Sequence, residues 1–349
     1  METRRRLPDI RSIDSRELQE TISELGQPAF RYKQIHEWIF SKNICSFDEM
    51  TNVPKALREA LQERYSFGTP LEIAKQISRD GSRKYLLQFP DGVSVETVGM
   101  PSRNRLAVCI STQAGCNMGC AFCATGIAGL TRSLTAQEMV DQVAHVARDF
   151  GERVTSVVFM GQGEPFANYD ETVCALRLLN SEEGLNIGAR HLTVSTSGII
   201  PRIRSFAQLP EQFTLAVSLH SAIQSTRNQL MPGVKKYTLL RLHEVLQEYT
   251  EKTGRRPTYE YAMIEGVNDT RPEMDALCSF CEGTLCHVNL IQLNEIPDSP
   301  FRPSPEKKVD ALQRLLLQHG VEATIRNSRG SDIDAACGQL KQRKVAFHK

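Results

Sequence analysis

The sequence predicts an α/β fold: a parallel sheet, open or curled into a barrel, preceded by a small helical unit and a short β segment. Three observations predict it. From about residue 105, short strand-like and helix-like stretches alternate regularly, the pattern of parallel strands joined by right-handed crossovers. Residues 1–65 carry helical but no strand periodicity, and 71–98 alternate with a period of two. The expected division is 1–65, a helical accessory domain; 66–100, a β-rich linker; and 101–349, the core. A chain of 349 residues with 40% hydrophobic and 24% charged residues has room for one large domain and a small one.

In order along the chain, QPAFRYKQIHEWIF (27–40) places Phe30, Ile35, Trp38 and Ile39 on one helical face, with Arg31 and Lys33 outside it. LEIAKQISRDGSRKYLLQFPDGVSVETV (71–98) alternates as strands, with Asp80-Gly81 and Asp91-Gly92 as turns. The core strands are RLAVCIST (105–112), VTSVVFMG (154–161), HLTVSTS (191–197), TLAVSLH (214–220), PTYEYAMI (257–264), HVNLIQLN (287–294) and VEATIRN (321–327). Helices are expected from Thr135, where Thr135 and Glu138 form a capping box, and at 170–181, 238–252, 271–282 and 304–319. In a barrel of this kind, function gathers where strands end. Glu164, Ser195, Ser218, His220 and Asn294 stand at such ends, although turns are polar for structural reasons too.

A formal net charge of +1 neither requires nor excludes a nucleic-acid partner. The clusters Arg4-Arg5-Arg6, Lys235-Lys236, Arg255-Arg256 and Lys341/Arg343/Lys344 read as solvated faces. No apolar run is long enough to span a membrane, and METRRRLPDI lacks the hydrophobic segment of a secretory signal. A cytoplasmic location is therefore expected, where ten cysteines stay mostly reduced and clustered ones suggest metal or redox chemistry.

GCNMGCAFCAT (115–125) gathers Cys116, Cys120 and Cys123 as C-x3-C-x2-C. Structural zinc normally takes four protein ligands, and neither Cys109 nor His145 completes a familiar zinc spacing. A 4Fe–4S cluster held by three thiolates leaves one iron open to a small molecule. Behind a first barrel strand, and with the aromatic Phe122 before the third cysteine, this motif resembles that of radical S-adenosylmethionine (SAM) enzymes. The resemblance implies a partial (β/α)6 barrel, a cluster on those three cysteines, and SAM chelated by the open iron and cleaved reductively to a 5′-deoxyadenosyl radical.

DIDAACGQL around Cys337, GQGEP at 161–165 and HVNLIQLN together resemble the RlmN/Cfr-type RNA adenine methyltransferases, over nearly the whole chain. By that resemblance Cys337 takes a methyl from one SAM, and a second SAM supplies the radical that activates this methyl for addition to adenine. Cys109 then releases the product through a transient disulfide, and Glu96 in SVETVGM accepts the proton displaced from the base. Gly163, Glu164, Ser195, Ser218, Leu219, His220 and Asn294 match the SAM contacts, Leu219 through its backbone. Cys45, Cys174, Cys278, Cys281 and Cys286 receive no role, although Cys278 and Cys281 form a C-x2-C within a predicted helix.

Gly163-Glu164-Pro165, GARHLTVSTSGIIP and EKTGRR resemble the carbon-2 branch, whose substrate is large-subunit (23S) ribosomal RNA and also an adenine beside the anticodon of transfer RNA. The alternative is the carbon-8 resistance branch, which tends to have alanine for that proline. Gly233-Val234 departs from the Ile-Asn that relatives often carry after Met-Pro. No RRM, KH or helix-turn-helix pattern appears. The N-terminal unit, with Arg31 and Lys33, is the natural place to hold folded RNA, Trp38 being read as core. An electron donor such as a flavodoxin or ferredoxin is implied, and a monomer is expected. A reading from another class, a zinc-stabilised RNA-binding protein without catalysis, leaves Cys337 unexplained.

Overall fold

The computed structural model describes residues 7–11, 13–42, 44–182, 184–296, 299–326 and 328–340. The basic clusters at 4–6 and 341–344 lie outside the described residues.

The N-terminal unit holds helices α1 (Ser15–Glu24), α2 (Phe30–His36) and α3 (Lys55–Arg64). Asp14 caps α1 by accepting the Glu17 N–H at 2.8 Å. The unit has its own core, in which Ile10, Leu18, Ile22, Ile35, Ile39, Leu57 and Leu61 are buried. α2 runs on as a π-helical turn, Glu37–Ser41. That wider turn shifts the phase of the helical face. Ile35 and Ile39 are buried as expected, but Phe30 is exposed and Trp38 is only half-buried, with Lys42 Nζ 3.7 Å from its ring centroid.

The strands β1 (Leu71–Ile77), β2 (Arg83–Gln88) and β3 (Ser94–Ser102) are antiparallel, with turns at Gly81 and Gly92. They continue directly into the main sheet, because β3 pairs antiparallel with β4 (Arg105–Cys109). A short hairpin, β5 (Gln113–Gly115) with β6 (Leu130–Ser133), brackets helix α4 (Ala124–Ala128) in the cysteine loop. The core then alternates: α5 (Ala136–Phe150), β7 (Ser156–Phe159), α6 (Tyr169–Asn180), β8 (Leu192–Thr196), α7 (Ile200–Phe206), β9 (Thr214–Ser218). α8 (Gln224–Leu230), α9 (Leu239–Thr253), β10 (Thr258–Met263), α10 (Arg271–Cys281), β11 (His287–Gln292), α11 (Glu306–Gln318) and β12 (Glu322–Arg326) complete it.

The ten-stranded sheet has the order β1-β2-β3-β4-β7-β8-β9-β10-β11-β12, and every pairing from β4 to β12 is parallel. Among the described residues β12 is not hydrogen-bonded to β4, so the barrel is not closed. It is nevertheless curled: Arg326 at the end of β12 reaches the Met160 sulfur just past β7 at 3.4 Å. Val108, Val157, Phe159, Leu192, Val194, Leu215, Val217, Val288 and Leu290 are buried beneath the helices, as expected of a covered parallel sheet. Thr135 and Glu138 form the expected capping box on α5. No described helix is long and apolar enough to cross a membrane.

The helical unit is fastened to the core by a buried ion pair. Arg11, fixed by Asp9, donates to both carboxylate oxygens of Asp141 on α5. Burial works against charge on its guanidinium, but the two acidic partners, Asp9 and Asp141, outweigh it and hold the pKa above the usual arginine value.

Candidate active site

The C-terminal ends of the parallel strands surround a cavity of about 170 Å³. Cys116, Cys120, Cys123, Gly163, Glu164, Ser195, Ser218, His220 and Asn294 line it, and Cys337 lines it beside the cysteine loop, where Ala124 N–H bonds Gly338 O. Ten of the residues read from the sequence thus meet at one place. Leu219 is buried and gives its N–H to Glu260 O at 3.0 Å.

Backbone contacts shape the cysteine loop. Cys116 N–H bonds Gly129 O, Cys123 N–H bonds Cys120 O, and Ala121 N–H bonds Leu230 O. Gly233 N–H bonds Met118 O at 2.9 Å, and a Cβ on Gly233 would lie 2.6 Å from that oxygen. The departure at Gly233 therefore sits against the cysteine loop, where it lets two backbones touch. Burial raises the thiols of Cys116, to about 11, and of Cys120, and each also feels Cys123. Among the described residues no group of three His, Cys, Asp or Glu side chains is arranged to hold a metal ion. Three thiols presented to one cavity suit a cluster that is held by three thiolates and keeps one iron open.

Glu164 is held rigidly. Gly163, at φ 104°, has no room for a side chain, since a Cβ would lie 2.6 Å from Gln113. Glu164 Oε1 accepts from Phe166 N and Thr196 Oγ1, and Oε2 accepts from Ser197 N at 2.7 Å. Burial raises its pKa, and those donors act against the rise. His220, at φ 55°, accepts the Ala262 N–H on Nδ1 at 3.0 Å. Its single proton is therefore on Nε2, and burial, with Arg227 nearby, pushes its pKa down to about 3. Phe122 packs edge-on to the imidazole at 4.8 Å.

Cys337 lies on a strap, 328–340, with no regular structure beyond one short turn, Ser331–Ile333. Polar tethers hold it from three sides. Ser78 Oγ and Arg79 N–H bond Asp332, and Lys84 Nζ bonds Asp334 O. Ala124 N–H bonds Gly338 O and Thr125 Oγ1 bonds Leu340 O, while Asn294 Nδ2 bonds Cys337 O at 3.2 Å. A second, smaller cavity of about 40 Å³ is lined by Cys337 and by Cys109 from β4. The two cysteines, far apart in sequence, thus share a wall. Burial pushes Cys109 up to about 12.

Glu96 lines neither cavity. It is buried on β3 and pairs with Lys84 Nζ at 3.4 Å, the ammonium that also holds Asp334 O of the strap. Three lining residues escaped the sequence reading: Ser197, Glu260 and Arg326. Glu260 was signalled by being a lone charge inside the apolar strand PTYEYAMI, and Arg326 by ending the last strand, where earlier strands carry their polar residues. Of the unassigned cysteines, Cys278, Cys281 and Cys286 are buried, Cys45 is half-buried and Cys174 is exposed.

A family model described as "Radical SAM superfamily" matches residues 110–278, and one described as "Ribosomal RNA large subunit methyltransferase N-terminal domain" matches 9–66. Among curated proteins, the "Probable dual-specificity RNA methyltransferase RlmN" of Geobacillus kaustophilus is 46% identical over 98% of this chain and 95% of its own length. The protein so named from Staphylococcus carnosus is 46% identical over 97% and 96%. Among solved structures, a radical SAM methyltransferase from Sphaerobacter thermophilus superposes with a TM-score of 0.91, at 42% identity, over 96% of this chain and 99% of that one. With a radical SAM core, the matching N-terminal domain and near-full-length similarity in hand, the chain belongs to the RlmN family of radical SAM RNA methyltransferases.

Proposed function

We propose that this protein methylates carbon-2 of an adenine in large-subunit ribosomal RNA, and of the adenine beside the anticodon in transfer RNA, through a methyl group carried on Cys337. The observation that carries the reading is the placement of Cys337 between two cavities, one shared with the three clustered thiols and one with Cys109. The relatives' names support RNA methylation with dual specificity, and the family description matched by residues 9–66 supports large-subunit ribosomal RNA as one substrate. The Gly163-Glu164-Pro165 segment supports carbon-2 over carbon-8.

Superfamily membership implies a 4Fe–4S cluster and SAM, and the cavity suits both. Cys116, Cys120 and Cys123 would hold the cluster and leave one iron open. Glu164 offers a buried carboxylate to an ammonium. Ser197 lines the same cavity, with its Oγ buried close to the Glu164 carboxylate. When bound, these groups supply a methyl cation equivalent and, from a second SAM, a carbon radical that removes one hydrogen from the Cys337 methyl.

The chain's own residues do the rest. Cys337 as thiolate displaces the first methyl, a sulfur–carbon bond forming as SAM's is broken. Once the activated carbon has joined adenine, carbon-2 must lose its proton; the resemblance gives that role to Glu96, which here stands outside both cavities, paired with Lys84. Cys109 attacks the Cys337 sulfur: the S–S bond forms, the bond from Cys337 to the transferred carbon breaks, and its electron pair stays with that carbon, which a proton completes as methyl. Electron counting leaves the odd electron on the two sulfurs; a cluster held by Cys116, Cys120 and Cys123 would supply a one-electron acceptor for it. Thiols then reduce the disulfide. The helical unit, with Lys33 exposed and Trp38 half-buried, is proposed to grip the RNA.

The test separates the two thiols. Cys337→Ala should leave neither protein nor RNA methylated, whereas Cys109→Ala should accumulate RNA covalently attached to Cys337, detected as a nucleotide-bearing peptide. Free, normally methylated RNA from Cys109→Ala would refute the scheme. Methyl located at carbon-8 by mass spectrometry of the RNA would refute the carbon-2 assignment alone.

A further inference from the structure

Arg326 ends β12 beside Ile291 of β11 and lines both cavities. It is the cation facing both reactive thiols, since Cys337 and Cys109 each lie within its electrostatic reach. We propose that Arg326 is a positioning residue of the reaction, its guanidinium keeping negative charge on the Cys337 and Cys109 sulfurs as each acts in turn. The inference rests on the cysteine chemistry proposed above.

Both thiol steps need a thiolate. The surroundings of Cys109 oppose one: it packs with Val98, Ala335 and Leu340, and burial pushes its thiol up to about 12, whereas Cys337 keeps part of its surface exposed. The charged and titratable groups around the pair are few. From β10 comes Glu260, from the cysteine loop Cys123 toward Cys337, from β12 Arg326, and from the strap Arg329, which lines the smaller cavity but pairs with Asp80 at 3.8 Å; Glu260 and Cys123 disfavour a thiolate, and Arg326 is the cation that lines both cavities. The Met160 N–H adds a hydrogen bond to Cys109.

Glu260 fixes the arginine without quenching it. Its Oε1 accepts from Asn289 Nδ2 at 3.0 Å, while its Oε2 stands 3.7 Å from Arg326 Nη1, beyond hydrogen-bond length. A bidentate pair would engage the guanidinium fork. Here one nitrogen reaches the Met160 sulfur at 3.4 Å and the remaining N–H groups stay available. Arginine suits the task because it remains charged when buried, which lysine does not reliably do.

The test uses the full chain, loaded anaerobically with cluster and given SAM, dithionite and an RNA transcript. Arg326→Gln should trap RNA on Cys337 at about pH 7, as Cys109→Ala does, and the trapped fraction should fall toward zero by about pH 9.5, where Cys109 ionises more readily unaided. Arg326→Lys should trap less than Arg326→Gln. In protein without cluster, iodoacetamide should alkylate Cys109 about tenfold more slowly at about pH 8 in Arg326→Gln than in the parent chain. Release of methylated RNA at the parent rate by Arg326→Gln would overturn the proposal, and so would a loss of product that is independent of pH and leaves no trapped RNA. If Cys109→Ala itself traps nothing, the cysteine chemistry falls and this proposal with it; trapping by Cys109→Ala beside normal release by Arg326→Gln refutes Arg326 alone.

Discussion

Glu164 and Cys337 face the same cavity, but one projects from a sheet and the other from a strap. Glu164 lies in the loop after β7, buried at the head of a short turn, Pro165–Asn168, and three donors hold its carboxylate. Moving it means breaking the core. Cys337 is held by side-chain and backbone tethers to the β1–β2 turn, to α4 and to the end of β11. Each such bond contributes only about 0.5–1.5 kcal/mol net, so the strap can open while the sheet stays folded. The difference teaches a division of labour: the sheet fixes what must not move, and the strap carries the group that must meet two partners.

The sharpest break of that comparison is on the rigid side. Cys120→Ala should lose the cluster and all SAM cleavage, seen as loss of bound iron and of 5′-deoxyadenosine; normal iron content would sink the ligand assignment. Glu164→Ala comes next, with SAM affinity falling about 100-fold and RNA affinity little changed; equilibrium binding of each ligand decides, and the reverse pattern would misplace this carboxylate. On the strap, Asp332→Ala removes the bonds from Ser78 and Arg79. It should raise hydrogen exchange in 328–340 and cost about three- to tenfold in turnover, with melting unchanged; a collapse of melting would show the strap to be part of the core. The smallest effect belongs to His220. Its folded pKa of about 3 lies below the ordinary value near 6.5, so the unfolded chain takes up a proton that the folded one refuses. Stability is full above about pH 6.5 and falls as pH drops toward 3, by about 1 kcal/mol near pH 5.5. Melting curves of His220→Gln should lack that part of the decline.

The same division explains what the sequence made legible. Strand periodicity and turn residues located every long β/α element, and the strand-end rule picked Glu164, Ser195, Ser218, His220 and Asn294 together. Several observed strands are shorter than the apolar runs: β7 ends at Phe159, before Glu164, and β11 at Gln292, before Asn294, whereas Ser195 and Ser218 still belong to β8 and β9. The short helices α4, α7 and α8, of five to seven residues, were missed because so few turns give little periodicity. Phe30 was misplaced because, at about 100° per residue, it stands about 140° round α2 from the buried Ile35. Most of all, nothing local in the strap says where Cys337 lands. Its pairing with Cys109 came from resemblance alone, because a segment held by tethers to distant elements has no pattern of its own.

The strap also has a place in the order of synthesis. A growing chain makes the cysteine loop, the rim and finally β12 before Cys337 is added. A ribosome-bound intermediate, or a product clipped after Arg326, would hold the chamber for SAM without the sulfur that receives its methyl. Such a chain should consume SAM and leave RNA untouched. Completion of the last dozen described residues would then be the event that turns a SAM-cleaving protein into an RNA-modifying one.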